Sequence, residues 1–310
     1  MHSGNEKTSK FASTFLKLVR LYTYNTPIRK GSSRLMLLAL KLIGEPPRDL
    51  TATTPDGRTF AVDLTTGMQE RVFFFGEYEP FVSKLVELLV VEGDTCIDAG
   101  ANFGWFTTLM ANLAGPSGSV HAFEPVPATF EELQRSVNIL KDPSSVELNK
   151  LALSDAESET SITVFDGQPT GHASLAANGV SGTAVSCKTI RLDLYLEQRS
   201  IDSVQFLKAD VEGAELGLLK GAEKLFKQAV PPAIIMEMAR GTSSSFGYAP
   251  NDLIEFIKSK SDFKFYKIDE VNRRLILLEE FAPSDPGANV LCIPASAPER
   301  IRAVVTRYLS

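Results

Sequence analysis

Asp98, Glu124 and Asp210 are carboxylates placed where short apolar runs stop, in DTCIDAGANFG, VHAFEP and FLKADVEGAE. At the carboxyl end of a buried strand such a group can accept hydrogen bonds from two neighbouring hydroxyls, hold a cation or take a proton from a reacting group. Glu212 and Glu237, in DVEG and IIMEM, extend the set. After Asp98 the run Ala99-Gly100-Ala101-Asn102-Phe103-Gly104 turns the chain into a helix, and its glycines let backbone approach a ligand closely. Glu124-Pro125 closes a second strand. Strand, glycine turn, helix and strand make half of a nucleotide-binding βαβ unit.

Charge narrows the ligand. The spacing is G-x-N-x-G rather than the G-x-G-x-x-G that seats a pyrophosphate on a helix N-terminus. No Lys or Arg occurs between Lys84 and Arg135, whereas Glu92, Asp94, Asp98, Glu124, Glu131 and Glu132 do. Such a site repels phosphate and welcomes a cation. S-adenosylmethionine fits this pattern, having a ribose for Glu124, no phosphate, and positive ammonium and sulfonium groups. The competing reading is a flavodoxin-like or dehydrogenase unit in which Asp98 only caps the turn.

The elements that must position these residues follow from periodicity. Thr95 to Ile97 reads as a buried parallel strand, Val120 to Phe123 as its neighbour and Val146 to Leu153 as a third strand, with helices near Trp105 to Ala114 and from Pro127 to about Leu140 between them. Ser161 to Phe165 and Ala184 to Leu192 suggest an inserted hairpin around a polar loop that holds His172. Phe206 and Leu207 begin a fourth strand, expected beside the first, so that Asp98 and Asp210 share a crevice; Lys208 and Asp210 point to the same side of it. A helix is expected from Ala214 to Phe226. Ala233 to Met238 is a fifth strand, followed by a helix over Asn251 to Lys258 and a hairpin of Phe263 to Ile268 with Arg274 to Leu278.

Roles can be assigned on this frame. Asp98, Gly100, Asn102, Phe103, Gly104, Glu124, Pro125 and Asp210 surround the cofactor, with Ser154 and Asp155 beside its base. Asp210 or Glu212 is the first choice for a general base and His172 the second. Tyr78, Glu79, His172 and Glu237 are candidates for the substrate side, Tyr78 and Glu79 as the lip of a pocket. In one variant Asp210 and Glu237 share a Mg²⁺ ion that lowers a hydroxyl pKa. Capping of the next helix is the plain alternative for Asp210 and Glu212.

Composition is that of a globular protein: 310 residues, 44% hydrophobic and 23% charged. Cys96, Cys187 and Cys292 lack metal-ligand spacing and read as small core residues of a reducing, cytoplasmic protein. Residues 1–48 hold nine Lys or Arg against two Glu, a balance of +7, which leaves −13 for the rest of a chain whose net charge is −6. Phe11, Phe15, Leu18, Val19 and Tyr22 fall at helical spacing among those cations, and Leu35 to Ile43 is a second apolar stretch. A basic amphipathic arm suits peripheral contact with an anionic membrane, nucleic acid, or, as the plainer account, packing on the body or a partner subunit. The expected domains are this arm, 1–48, and a single domain, 49–310. The latter comprises a lead-in hairpin and helix (49–92), a core (93–282) carrying the hairpin insertion (156–192), and a C-terminal strand and helix (283–310).

Assembled, the sequence resembles the FkbM-type methyltransferases, through GEYEP at 76–80, DAGANFG at 98–104, FEP at 123–125, LALSD at 151–155, TIRLD at 189–193, LKADVEGAELGLLKGA at 207–222 and IIMEM at 234–238. The resemblance implies a class I (Rossmann-like) doubly wound, seven-stranded α/β sheet with an antiparallel last strand. It also implies S-adenosylmethionine-dependent methyl transfer to a hydroxyl of a sugar, glycan or natural product. The arm has no counterpart in it. Two rivals are a nucleic-acid methyltransferase that grips phosphates with the arm, and a non-catalytic scaffold. Ala-Asp-Val-Glu where an Asn-Pro-Pro-Tyr-like turn would stand opposes the first, so no nucleic-acid partner is expected; the intact glycine turn opposes the second.

Overall fold

The computed structural model describes residues 2–26, 31–45, 50–165, 173–174 and 182–310. It divides into two compact units, Met1–Tyr78 and Glu79–Ser310, with the described residues 50–78 in the first.

The first unit contains α1 (His2–Asn25), α2 (Ser32–Ile43), the antiparallel hairpin β1 (Leu50–Thr53) and β2 (Thr59–Val62), and α3 (Gly67–Phe75). The aromatic run Phe73 to Phe75 is the end of α3, where Val72, Phe73 and Phe74 are buried and the helix packs against α1 and the hairpin. Thr23 Oγ1 donates to Phe74 O at 2.6 Å, and an Arg20 guanidinium nitrogen to Thr53 O at 2.6 Å, tying α1 to both.

The second unit opens with α4 (Pro80–Leu89), then β3 (Thr95–Ala99), α5 (Trp105–Ala114), β4 (Ser119–Phe123), α6 (Pro127–Asn138) and β5 (Val146–Asn149). The expected third strand does not continue to Leu153. The chain breaks after Asn149, and β6 (Ala152–Leu153) joins a separate sheet with β7 (Ser158–Phe165), β8 (Ala173–Ser174) and β9 (Gly182–Ile190), in the order β6-β9-β7-β8. The expected insertion is therefore a small sheet, built on the antiparallel β7–β9 pair.

Next come α7 (Leu192–Gln198), β10 (Phe206–Ala209), α8 (Glu215–Lys220) and α9 (Glu223–Phe226), which divide the single helix expected there, and β11 (Ala233–Ala239). The chain closes with α10 (Arg240–Ser243), α11 (Pro250–Lys260), the hairpin β12 (Phe263–Asp269) and β13 (Arg274–Leu278), β14 (Gly287–Pro294) and α12 (Glu299–Tyr308). The main sheet has eight strands, not seven, ordered β13-β12-β14-β11-β10-β3-β4-β5. β11, β10, β3, β4 and β5 run parallel. β14 inserts antiparallel between β11 and β12, and β13 adds an eighth, antiparallel edge.

The central strands are buried on both faces and so read as continuous apolar runs. Ile97, Leu207, Ile234, Met236 and Cys292 pack with Leu218, Leu219 and Leu225 of the helices on one side. All three cysteines are buried and free. Two charged residues interrupt this core, Asp98 on β3 and Lys208 on β10, each 1% exposed.

Candidate active site

Register explains how the charged residues meet. β10 lies beside β3 with Lys208 paired to Asp98, and Asp210 N donates to Ala99 O at 2.9 Å. Lys208 is also in register with Ile235 of β11, and Glu237 with Asn289 of β14. Because side chains alternate along a strand, Asp98, Lys208, Asp210, Glu237 and Asn289 all occupy one face, toward the carboxyl ends of the parallel strands. This is where an open α/β sheet receives ligands, beside the reversal of strand order at β3 and β10.

The glycine turn is held from beneath. Gly100 N and Ala101 N both donate to Phe123 O at 3.0 Å. Asn102 adopts φ 50° and its Oδ1 accepts from Phe103 N at 2.8 Å. Gly100, with φ 77°, has no room for a side chain, since a Cβ would lie 1.8 Å from Asp210 O; the backbones after β3 and β10 touch there. Gly104 serves a different purpose. Its missing Cβ would meet Leu133 Cδ1 at 2.8 Å, so it lets α6 pack closely on the turn.

Glu124 is buried at the end of β4. Its two oxygens accept from Asn102 N at 3.0 Å and Val126 N at 2.9 Å, and burial still pushes its carboxyl up to about 7. The residue thus braces the turn, while each oxygen keeps a further lone pair for a ligand hydroxyl. Asp98 accepts from Thr107 Oγ1 at 2.5 Å, and burial raises its carboxyl to about 6 against the opposing pull of that bond and of Lys208.

Lys208 is the one cation among these acids in the described residues. Burial disfavours its charge, but Asp210, Glu79 and Asp98 outweigh burial and hold its pKa above the ordinary value. Its Nζ donates to Asp210 Oδ2 at 3.2 Å and stands 5.1 Å from the centre of the Phe106 ring. Glu237 is pushed up to about 8, first by burial and then by the nearby charges of Asp210, Glu212 and Glu215. Glu79, the N-cap residue just before α4 with φ 42°, rises to about 7, chiefly through burial. Glu79 Oε1 accepts from Asn289 Nδ2 at 3.4 Å, but Glu79 Oε2 and Asn289 Oδ1 are shut away from solvent with no hydrogen-bond partner. Glu270, reaching back from the β12–β13 turn, caps α4 by accepting from Phe81 N at 2.7 Å and Val82 N at 3.2 Å.

Bracing of the turn after β10 falls to Glu215, which the sequence reading passed over. Its Oε1 accepts from Val211 N and Gly213 N at 3.1 and 3.3 Å, and its Oε2 from Tyr248 Oη at 2.9 Å. Glu212, at φ 52°, is left at the tip of that turn, near enough to Glu237 to raise it.

Ser154 and Asp155 do not end the third strand of the main sheet, which stops at Asn149. They follow β6, where Ser154 O crowds Gly221 closely enough that a Cβ there would sit 2.0 Å away. His172 lies outside the described residues. Tyr78 ends the first unit, and Pro125 stands half-buried between Glu124 and α6. Among the described residues no group of three or more His, Cys, Asp or Glu side chains is arranged to hold a metal ion.

The donors and acceptors present suit a cationic nucleoside. Glu124 offers acceptors at the end of the second strand, Gly100 admits close backbone, and the unpartnered Glu79 Oε2 and Asn289 Oδ1 await N–H or O–H donors. Sheet order, glycine turn and strand-end carboxylate together define a class I, S-adenosylmethionine-dependent methyltransferase fold. The family follows from residues 98–265, which match the profile described as "Methyltransferase FkbM domain"; the chain belongs to the FkbM methyltransferase family.

Among curated proteins it is similar to Methyltransferase 1 of Beauveria bassiana, with 30% identity over 47% of this chain and 65% of the relative. It is also similar to the 31-O-demethyl-FK506 methyltransferase FkbM of Streptomyces tacrolimicus, with 28% identity over 42% of this chain and 60% of the relative. A third relative is the hexuronic acid methyltransferase AglP of Haloferax volcanii, with 31% identity over 42% of this chain and 50% of the relative. The chain spans less than two-thirds of the length of each.

Proposed function

We propose that this chain is an O-methyltransferase that uses S-adenosylmethionine to methylate a hydroxyl on a sugar, glycan or natural-product acceptor. The observation that carries the reading is Glu237, a carboxylate raised to about 8 at the ligand end of the sheet, among Asp210 and Glu212. Two relatives support the acceptor class by name, one acting on an O-demethyl compound and one on a hexuronic acid.

The cofactor supplies a methyl group already activated on a positively charged sulfonium. The chain holds and orients the reactants. Glu124 and the backbone at Gly100 would take the nucleoside, and Glu79 with Asn289 would accept hydrogen bonds from a donor group of either ligand. Lys208 keeps Asp98 and Asp210 in place as fixed negative charge, which favours a cation in the crevice.

Glu237 is the general base. A carboxylate is most effective when its pKa lies near the working pH, and Glu237 is raised toward that range, whereas Asp210 is engaged by the Lys208 ammonium. This moves the base away from the sequence-based choice of Asp210 or Glu212. It receives the hydroxyl proton, while positioning of the oxygen in line with the methyl accounts for the remaining acceleration.

Incubation with S-adenosylmethionine and a panel of uronic-acid glycans and hydroxylated macrolides should release S-adenosylhomocysteine and give a methyl ether, identified by mass and by resistance to mild alkaline hydrolysis. A product methylated only on nitrogen, or an alkali-labile methyl ester, would overturn the O-methylation of a hydroxyl.

A further inference from the structure

The first unit presents a surface that methyl transfer does not use. α1 is apolar on two sides. Ala12, Leu16 and Val19 face inward and are buried. Phe11, Leu18, Leu21 and Tyr22 face outward and are 72%, 61%, 63% and 58% exposed. Their spacing of i, i+7, i+10 and i+11 places them on one stripe along the helix. α2, which packs on α1, repeats the arrangement: Met36 and Ala39 are buried, while Leu37, Leu38 and Leu42 are exposed. Seven of the thirteen large apolar side chains that stand exposed among the described residues lie on these two helices. Isolated exposed leucines are ordinary, but a concentration of this kind on adjoining helices marks a contact surface.

Charge identifies what covers it. Lys17 lies beside the outward stripe of α1, and Arg34 and Lys41 beside that of α2, all exposed. They belong to the segment whose balance is +7. We propose that α1 and α2 form a docking element that lies in the headgroup plane of an anionic bilayer, leucines and aromatics down and cations at the phosphates. A second copy of this face is a poor occupant, because pairing it with itself would bring like charges together. Neither helix crosses the membrane: no helix among the described residues is long and apolar enough to do so. Lying flat, α1 with its 24 residues extends about 36 Å, room for several headgroup contacts.

The test is sedimentation of the full-length protein with vesicles of phosphatidylcholine mixed with phosphatidylglycerol, compared with pure phosphatidylcholine. The protein should pellet with the anionic vesicles at low salt, detach as salt is raised, and remain in the supernatant with the neutral ones. Leu18→Glu with Leu21→Glu, or Leu37→Glu with Leu42→Glu, should lower binding at least about tenfold, since apolar contact is replaced by like charge to the lipid. Each of Lys17→Gln, Arg34→Gln and Lys41→Gln should lower it about fivefold. These positions are exposed, so melting temperature and far-UV circular dichroism should match the parent. Three outcomes would overturn the proposal: no binding to anionic vesicles at low salt; binding unaffected by the paired leucine changes; or light scattering that shows a dimer dispersed by those changes, in a protein that ignores vesicles.

Discussion

Replacing Glu237 with Gln should leave S-adenosylmethionine affinity close to that of the parent and lower turnover by roughly 10² to 10⁴. Glutamine keeps the size and hydrogen bonding of the side chain but accepts no proton at working pH. The pH profile is the sharper readout. With Glu237 at about 8, kcat/KM of the parent should climb as pH rises through that region, and the climb should disappear in the variant. Binding of a cation nearby favours the ionised carboxylate, so the corresponding limb of kcat should lie at lower pH. Asp210→Asn is the control: Asp210 shares a hydrogen bond with Lys208, and loss of its charge should weaken the cluster without abolishing the limb. Normal turnover in the Glu237→Gln protein, with a collapse in Asp210→Asn, would return the base to Asp210.

Lys208→Met should lower stability by about 3–5 kcal/mol at pH 8, because it leaves buried carboxylates without their cation. In a chain of this size that corresponds to a melting temperature lower by roughly 10 °C. The loss should depend on pH. Asp98, Glu79 and Glu237 stand at about 6, 7 and 8 when folded, above ordinary carboxylates, so the native state binds more protons than the unfolded chain between about 4 and about 8. Without Lys208 these values rise further. The stability such groups contribute is therefore present below their unfolded values and lost as pH climbs through the folded ones, and the deficit of Lys208→Met should shrink as the solution is taken from pH 8 toward pH 5. Melting curves for parent and variant that stay parallel across this range would show that Lys208 is not the partner of these acids.

What could be read from the sequence was set by local pattern. The continuous apolar runs of β3, β4, β10 and β11 and the glycine turn after Asp98 gave their strands and the crevice, because fully buried parallel strands carry a one-dimensional signal. Val146 to Leu153 was misread as one strand: its apolar residues Val146, Leu148, Leu151 and Leu153 are interrupted by Asn149-Lys150, where the chain leaves one sheet for another. The helix Gly67–Phe75 carries no such pattern, because its consecutive aromatics Phe73 to Phe75 show neither a helical nor a strand period. Lys208 was visible as a charge inside an apolar strand and in phase with Asp210, yet its neutralising role needs the register that sets it beside Asp98.

Glu215 was the third carboxylate of DVEGAE and was overlooked because the turn it braces has no sequence signature. Asn289 and Glu270 reach the site from the last strand and the β12–β13 turn, about 200 residues from Glu79 in the chain. Pairings of that range come from topology, and local spacing does not encode them. Glu237 was seen near a strand end, but its altered acidity comes first from its burial in the assembled sheet and then from Asp210 and Glu212 arriving from the neighbouring strand.

Calorimetric titration of the protein with S-adenosylmethionine, beside Glu124→Ala and with NAD as the comparison ligand, tests the central claim most directly. The account predicts saturable binding at one site per chain, binding weaker by about 1–3 kcal/mol in Glu124→Ala through loss of a buried acceptor, and no comparable heat from NAD, whose phosphates meet a crevice lined with carboxylates. A folded parent protein that binds NAD in preference to S-adenosylmethionine, or a Glu124→Ala protein that binds S-adenosylmethionine as tightly as the parent, would contradict it.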